Sequence, residues 1–357
     1  MYFEHKSFFL FIILIVLLLN LTTSYGFDIK EKSINAKLAS AEIEGDLMTV
    51  WSRKFAAYMK KETNGLFNLD VYPYGTLGSE MNINQLCQLG AVDFVYQGAA
   101  HLSAFVPECD FLKIHYLLPR ENTGKIIEYL VTKGDFYKLL TTAFKKRNLY
   151  PLAVTFEGWQ WITSKKPIIH FEDVKDVKVR VMNSKMLIHQ YNAYGFSPTT
   201  MDYGEIYSSL QTNVLDAQIQ PMFANYSMKF YEVSPFFTQM WTSPFLGIIA
   251  ANLDFFNSLP PNLQKKIKDF WKSAIIKSYK WIVERNKKDM KKIKEEKPEV
   301  KFYEFNNDDL DKAKKIIEEK IISNLDSLIG ENAGEIYKIL ENDIEKAKIT
   351  IKQNRPF

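Results

Sequence analysis

Hydrophobic residues recur along this chain with two spacings, and segments of the two kinds follow one another. Residues 46–62 carry an apolar stripe with helical spacing, whereas 66–72 alternate apolar and polar positions as a strand does. A strand pattern at 35–43 precedes them, and a helical pattern at 80–89 leads into a short strand at 92–96. Alternating strands and helices predict an α/β fold.

The alternation continues in the second half of the chain. Strand patterns at 156–162 and 177–181 precede a helical pattern over about 261–296. This helix is longer than is usual in globular domains, so we expect it to bridge two lobes. Two charged amphipathic helices follow, near 308–326 and 333–352, and their Lys/Glu alternation indicates solvated faces.

Two segments repeat one pattern of helix end, turn and strand. Gly90 and Asn213 are the turn residues that tolerate a positive φ, and Asp93 and Asp216 follow in the strands. The segments are Q-L-C-Q-L-G-A-V-D-F-V-Y-Q-G (85–98) and S-S-L-Q-T-N-V-L-D-A-Q-I-Q-P (208–221). The repeat suggests two related α/β lobes, although it is too short to prove duplication.

The N-terminus has the layout of a secretory signal peptide. Lys6 supplies a positive charge, Phe8 to Leu19 are uninterruptedly apolar, and Ser24 and Gly26 are small residues before a cleavage site at Phe27. The alternative is an uncleaved anchor, but the apolar run is shorter than the roughly 18–20 residues that a span needs. We therefore expect a signal peptide over 1–26 and export to the periplasm.

Length and composition narrow the classes of protein that this chain can belong to. The mature chain is too long for one ordinary domain, and a hydrophobic content of 46% can fill two cores. The net charge is only +4, and basic runs such as 287–297 alternate with Glu. This pattern argues against a clustered basic surface that binds nucleic acid. Cys87 and Cys109 would enter an oxidising compartment, where they form a disulfide or remain buried and free.

Motifs of catalysis and of metal binding are missing from the sequence. The chain has no G-x-S-x-G elbow, no H-E-x-x-H pair and no phosphate-binding glycine loop. Its histidines after the signal, His101, His115, His170 and His189, lack the spacing of metal ligands. We expect neither an enzyme nor a cofactor.

One arginine stands inside an apolar strand pattern. Arg180 lies between Val179 and Val181, and an unpaired buried charge is costly. It either pairs with an internal carboxylate, lies at a sheet edge, or grips the carboxylate of a ligand through two parallel hydrogen bonds. The last alternative predicts a binding site for an acidic small molecule.

The segment Trp159-Gln160-Trp161 also favours a site. Two aromatic faces flank an uncharged side chain that can both donate and accept hydrogen bonds. The alternative is that the two tryptophans reach separate cores.

Several of these segments resemble one known family. The motifs are K-V-R-V-M-N-S (178–184), G-F-S-P-T-T-M-D-Y-G-E-I-Y-S-S-L-Q-T-N-V-L-D-A-Q-I-Q-P (195–221), M-K-F-Y-E-V (228–233), V-Y-P-Y-G-T-L-G-S-E (71–80), L-G-A-V-D-F (89–94) and N-S-L-P-P-N-L-Q (257–264). In their order along the chain they resemble the substrate-binding subunits of tripartite ATP-independent periplasmic (TRAP) transporters, the DctP-like family. The resemblance covers nearly the whole mature chain.

The resemblance implies a two-lobed α/β periplasmic binding protein fold with discontinuous lobes, crossing strands and a long lobe-bridging helix. Lobe I would comprise 27–157 and about 246–285, and lobe II 158–245 and about 286–357. The lobes would close over a carboxylate-containing small molecule. The implied partners are a small and a large membrane permease subunit driven by an ion gradient, and the protein itself would be a monomer.

The resemblance also implies site residues. Arg180 would form the salt bridge to the ligand carboxylate. The other implied positions are Gln160, Asn183, Tyr203 and Gln220 in the second lobe, and positions at or near Ala41, Glu80, Gln97, Gly98 and His101 in the first. Together with Trp159 they form the predicted ligand site.

This chain departs from the family's sialic-acid binders, which carry G-x-R where it has Gly158-Trp159-Gln160 and Q-E-N-P where it has Gln218–Pro221. Having lost a second arginine and a carboxylate, it is expected to take a monocarboxylate with a hydroxylated, aromatic or apolar tail, although His101 or Lys185 could serve a second acid. The alternative functions are a binding protein of an ATP-driven importer and a periplasmic enzyme.

Overall fold

The computed structural model describes residues 33–353, so the predicted signal peptide lies outside the described residues. The strands are β1 Ile34–Ser40, β2 Phe67–Tyr72, β3 Phe94–Gly98, β4 Leu149–Ser164, β5 Lys178–Val181, β6 Ser197–Thr200, β7 Ala217–Pro221, β8 Phe236–Gln239, β9 Pro244–Asn252 and β10 Lys301–Glu304. The α-helices are α1 Leu47–Glu62, α2 Glu80–Gln88, α3 Ala99–Leu102, α4 Thr123–Lys133, α5 Asp135–Lys145, α6 Lys185–Tyr194, α7 Ile206–Gln211, α8 Met222–Ser227, α9 Leu253–Ser258, α10 Pro261–Glu296, α11 Asn307–Ile316, α12 Leu325–Ile329 and α13 Ala333–Lys352. Within 33–353, none of these helices has the length and apolarity needed to cross a membrane.

The long strand β4 belongs to two sheets. Its first part, 149–159, pairs antiparallel with β9 and completes a sheet of order β2-β1-β3-β9-β4. Its last part, 160–164, pairs antiparallel with β7 and with β8 in a sheet of order β6-β5-β7-β4-β8-β10. The two sheets are the centres of two lobes, and the crossing strand joins them as predicted.

The internal repeat has a structural counterpart. Strands β2-β1-β3 and β6-β5-β7 follow the same order, with β1 parallel to β3 and β5 parallel to β7. Asp93 accepts a hydrogen bond from the backbone N–H of Lys37 at 2.7 Å, and Asp216 accepts one from that of Lys178 at 3.0 Å. Each aspartate thus ties the start of its own strand to the middle strand of its three-strand repeat.

The turn residues of the repeat also behave as predicted. Gly90 has φ +76° and Asn213 has φ +63°, and both follow a helix C-terminus. A left-handed residue at this position ends a helix because it turns the chain away while satisfying the last carbonyls.

Helix α10 spans 36 residues and contacts both lobes. In its first third the ring of Trp271 lies 5.4 Å from that of Tyr96 in β3 of the first sheet. Towards its end Ile293 packs in a buried cluster with Phe237 of β8 in the second sheet. The predicted lobe-bridging helix is therefore present.

The helix expected over 308–326 is interrupted. After α11 the chain forms a π-helical turn at Ile317–Ile321 and a short 3₁₀ turn before α12. The side chains of Ser323 and Asn324 donate hydrogen bonds to carbonyl oxygens of the π turn, at 2.7 Å and 3.2 Å. These bonds compete with the regular helical ladder, which explains the break.

The two cysteines are free. Cys87 and Cys109 are both fully buried and are not bridged to each other. Burial raises the pKa of both thiols, because a thiolate loses its hydration there. They are inert core residues, the second of the two alternatives that the sequence left open.

Candidate ligand-binding site

Arg180 is a fully buried cation with incomplete hydrogen bonding. Its relative exposure is 0%, and its Nε and Nη2 donate to the carbonyl oxygen of Met201 at 3.0 Å and 2.8 Å. Its Nη1 has no hydrogen-bond partner among the described residues. Desolvation lowers the pKa of the guanidinium, but arginine remains charged in proteins. One donor edge of a buried positive charge is thus available to an acceptor.

Glu80 approaches this arginine from the other lobe. Its Oε2 lies 3.8 Å from Arg180 Nη2, which is an ion pair but too long for a hydrogen bond. Its Oε1 lies 3.0 Å from His101 Nε2, and its backbone carbonyl accepts a bond from Gln97 Nε2 at 3.0 Å. Glu80, Gln97 and His101 thus form one buried polar group facing Arg180.

Gln160 presents a second buried donor without a partner. Its Oε1 accepts a hydrogen bond from Ser243 Oγ at 3.2 Å, while its Nε2 has none among the described residues. The register of β4 and β7 places Gln160 opposite Pro221, directly after Gln220, which is also buried. Both glutamines lie where β4 enters the second sheet.

The other predicted positions differ in their surroundings. Tyr203 is buried, with its ring 5.6 Å from that of Tyr74. Asn183 is exposed and donates from Nδ2 to Met81 Sδ at 3.6 Å, a contact between the two lobes. The ring of Phe245 lies close to Gly98, since a Cβ added at Gly98 would be 2.8 Å from Phe245 Cζ. Sequence reasoning did not identify this phenylalanine.

The two tryptophans of β4 lie in different surroundings. Trp159 is half-buried, with its ring 5.7 Å from that of Trp241. Trp161 packs against Phe237 and Phe302 in the core of the second lobe. The two tryptophans therefore lie in separate environments, which was one of the two alternatives that the sequence left open.

A buried acidic cluster, Glu42, Asp46 and Glu157, lies near Tyr203 and was not predicted. Burial, followed by the neighbouring carboxyl groups, raises the pKa of Glu157 well above its ordinary value, and burial also raises the pKa of Glu42. The side chains of these two residues interact within the cluster, and a proton on one carboxyl group would allow it to donate a hydrogen bond to the other. Burial raises the pKa of Tyr203, and the charges of Asp46 and Glu42 add to this effect.

Asp46 connects this cluster to the second lobe and to α10. Its Oδ2 accepts a hydrogen bond from Ser227 Oγ at 2.8 Å, and its Oδ1 lies 3.5 Å from Arg285 Nη2. Desolvation raises the pKa of Asp46 well above its ordinary value despite this arginine. The cluster therefore holds more carboxyl groups than nearby cations can neutralise.

A signal for Glu157 was present in the sequence. It is a charged residue within an apolar strand pattern, F-E-G-W-Q-W-I, as Arg180 is in its own strand. The structure places it at a register shift between Phe156 and Gly158 in β4. The same argument from buried charge would have identified both residues.

The carboxyl pair predicts a pH dependence of stability. A group with a raised folded-state pKa stabilises fully below its unfolded pKa of about 4.3 and loses that contribution as pH rises through the folded value. We expect the free energy of unfolding to fall as pH rises above about 4.3, and Glu157→Gln to flatten the decline because an amide does not titrate. Urea denaturation across this range measures it. Exposed Glu331→Gln is the control, and an unchanged slope in Glu157→Gln would contradict the assignment.

A protein-family model matches most of this chain. Residues 41–324 match the family model DctP, bacterial extracellular solute-binding protein, family 7. The chain belongs to this family. The match includes both halves of the site, from Ala41 to the strands that carry Arg180 and Gln220.

Relatives of this DctP-family protein include two named for the same compound. It is 30% identical to the ectoine/5-hydroxyectoine-binding periplasmic protein UehA of Ruegeria pomeroyi, over 74% of this chain and 77% of that one. It is 28% identical to the ectoine-binding periplasmic protein TeaA of Halomonas elongata, over 88% and 91%.

Solved structures agree with the fold. The ectoine-binding protein of the TeaABC TRAP transporter of Halomonas elongata superposes with a TM-score of 0.82 at 27% identity, covering 87% of this chain and 99% of that one. A TRAP solute-binding protein from Desulfovibrio salexigens, with bound orotic acid, gives 0.82 at 26%, covering 88% and 100%. The DctP-family protein described here is thus a two-lobed TRAP solute-binding protein, of a family that is periplasmic and works with membrane permease subunits.

Proposed function

We propose that this protein captures a carboxylate-containing small molecule between its lobes and delivers it to a two-subunit, ion-gradient-driven permease. The unpartnered Nη1 of the buried Arg180 is the observation that carries the proposal. A carboxylate there would complete the hydrogen bonding of the guanidinium through a charge-assisted bond, in addition to the longer ion pair with Glu80. In this proposal the chain is exported as a monomer, by a signal peptide over 1–26, and its lobes have the boundaries predicted from the sequence.

Gln160 supports the same ligand chemistry. Its Nε2 is a second buried donor without a partner in the described range, and buried polar groups left unsatisfied are costly. An organic acid or sugar acid carries the oxygen acceptors that both donors lack. Arg180 thus selects the acid group and Gln160 a further oxygen.

A second candidate ligand class carries a cation as well as a carboxylate. Glu42, Asp46 and Glu157 offer buried carboxyl groups near Tyr203, and these would stabilise a positive group at the far end of the ligand. Two relatives are named for ectoine, which combines a carboxylate with a cationic ring, so this class belongs in any screen.

A thermal-shift screen tests the proposal. Ectoine, orotate, galactonate and malate represent cationic, aromatic, hydroxylated and dicarboxylate acids. A ligand present at about 100 times its dissociation constant adds about 2.7 kcal/mol to the free energy of unfolding, so a binder raises the melting temperature clearly. The uncharged polyol galactitol is the matched control for galactonate.

Two further measurements separate the alternatives. Mass spectrometry of the bound compound, recovered unchanged, would count against an enzyme. Reconstitution with the two permease subunits should give uptake that depends on an ion gradient, whereas dependence on ATP would favour the importer alternative. The carboxylate proposal would be overturned if uncharged compounds stabilised the protein and none of a broad set of acids did.

A further inference from the structure

Tyr74 connects the two lobes at the site. It lies in the loop between β2 and α2, and its hydroxyl donates a hydrogen bond to Asp202, in the segment after β6 of the second lobe. The same hydroxyl accepts a bond from the backbone N–H of Gly204 at 2.8 Å. A tyrosine of one lobe thus makes two polar contacts with one short segment of the other.

That segment, Met201–Gly204, also holds Arg180. The carbonyl oxygen of Met201 accepts both hydrogen bonds of the guanidinium, and the next residue, Asp202, receives the Tyr74 hydroxyl. Tyr203 follows and is buried against Tyr74. The contact with Tyr74 and the hydrogen bonds to Arg180 thus lie within four consecutive residues.

Access to Arg180 depends on the same contact. With Tyr74 bound to the segment, the guanidinium has 0% relative exposure, so a carboxylate from solvent cannot reach Nη1. Its donor becomes accessible only when the lobes separate or the segment shifts. The contact is therefore placed where it can hold a captured ligand in.

We propose that Tyr74 is the latch that holds the two lobes closed, and that the Met201–Gly204 segment couples this latch to the carboxylate clamp at Arg180. The inference rests on the proposed capture of a ligand between the lobes, but lobe closure can be tested without any ligand. Tyr74 acts here as a positioning residue. A glycine at 204 fits this role, because an added Cβ would lie 3.0 Å from the Tyr74 hydroxyl.

Cross-linking can measure how often the lobes close. Met81 and Asn183 touch across the lobes, and the two native cysteines are fully buried, so Met81→Cys with Asn183→Cys gives one reactive pair. The rate of reaction with a short bis-maleimide reports the closed population, even where that population is small. The measurement uses ligand-free protein, so it is independent of whether the ligand is an acid.

We expect Tyr74→Phe to slow cross-linking by about three- to tenfold, because the substitution removes a hydrogen bond to a charged group at a half-buried position. Tyr72→Phe in β2 is the matched control and should leave the rate unchanged. Asp202→Asn keeps an acceptor oxygen and should retain most of the rate, whereas Asp202→Ala should not. Unchanged cross-linking in folded Tyr74→Phe, with the fold verified by circular dichroism, would overturn the latch.

Discussion

Arg180→Ala is expected to weaken ligand binding by about two to four orders of magnitude. Removing one partner of a buried ion pair costs roughly 3–5 kcal/mol, because the other charge stays buried without compensation. The bound carboxylate would lose both its countercharge and the Nη1 donor that has no other partner among the described residues. Isothermal titration calorimetry with the acid found in the thermal-shift screen measures the effect.

Arg180→Lys should also bind more weakly than the wild type. A lysine keeps the charge but has no planar fork, so it cannot hold the Met201 carbonyl and a carboxylate together. Lys178→Ala is the matched control, since Lys178 lies on the same strand and is exposed. Binding as tight as that of the wild type in either Arg180 variant would show that this arginine is not the clamp.

Gly158→Ala is expected to destabilise the protein by about 2–5 kcal/mol, from backbone strain and overpacking together. Gly158 has φ +132°, a conformation that L side chains rarely adopt, and its Cβ would lie 2.6 Å from Asn286 Nδ2. Asn286 of α10 donates to the Glu157 carbonyl at 2.9 Å and accepts from the Phe223 N–H at 2.7 Å. The added methyl group would disturb this bridge at the crossing strand.

The two causes can be separated with a second glycine. Gly195 has φ +103° but no atom within 4 Å of a Cβ, so Gly195→Ala measures backbone strain alone. Urea denaturation should show a smaller loss for it, about 1–2 kcal/mol. If Gly158→Ala were no more destabilising than Gly195→Ala, close packing against Asn286 would not constrain the crossing strand.

Periodicity predicted elements well wherever a local pattern decides the structure. Helix α10 begins and ends within a residue of its prediction, and α13 matches its predicted bounds, because an amphipathic stripe over many turns has no competing conformation. The positive φ of Asn213 was also predictable from a local turn preference. The prediction over 308–326 was wrong in detail, because side-chain bonds from Ser323 and Asn324 interrupt a pattern that remains amphipathic.

By itself the sequence determined the α/β class, the repeat, the long helix and the buried arginine, all of which follow from local spacing and from the cost of burying charge. Only the tertiary structure decided what meets across the lobes: Glu80 with Arg180, Glu42 with Glu157, and Tyr74 with Asp202. These partners are far apart in the chain, and no local pattern encodes which distant residues the packing of two sheets brings together. The residue proposed as the carboxylate clamp, Arg180, was therefore visible in one strand, while its acidic neighbours and the contact between Tyr74 and Asp202 required the fold.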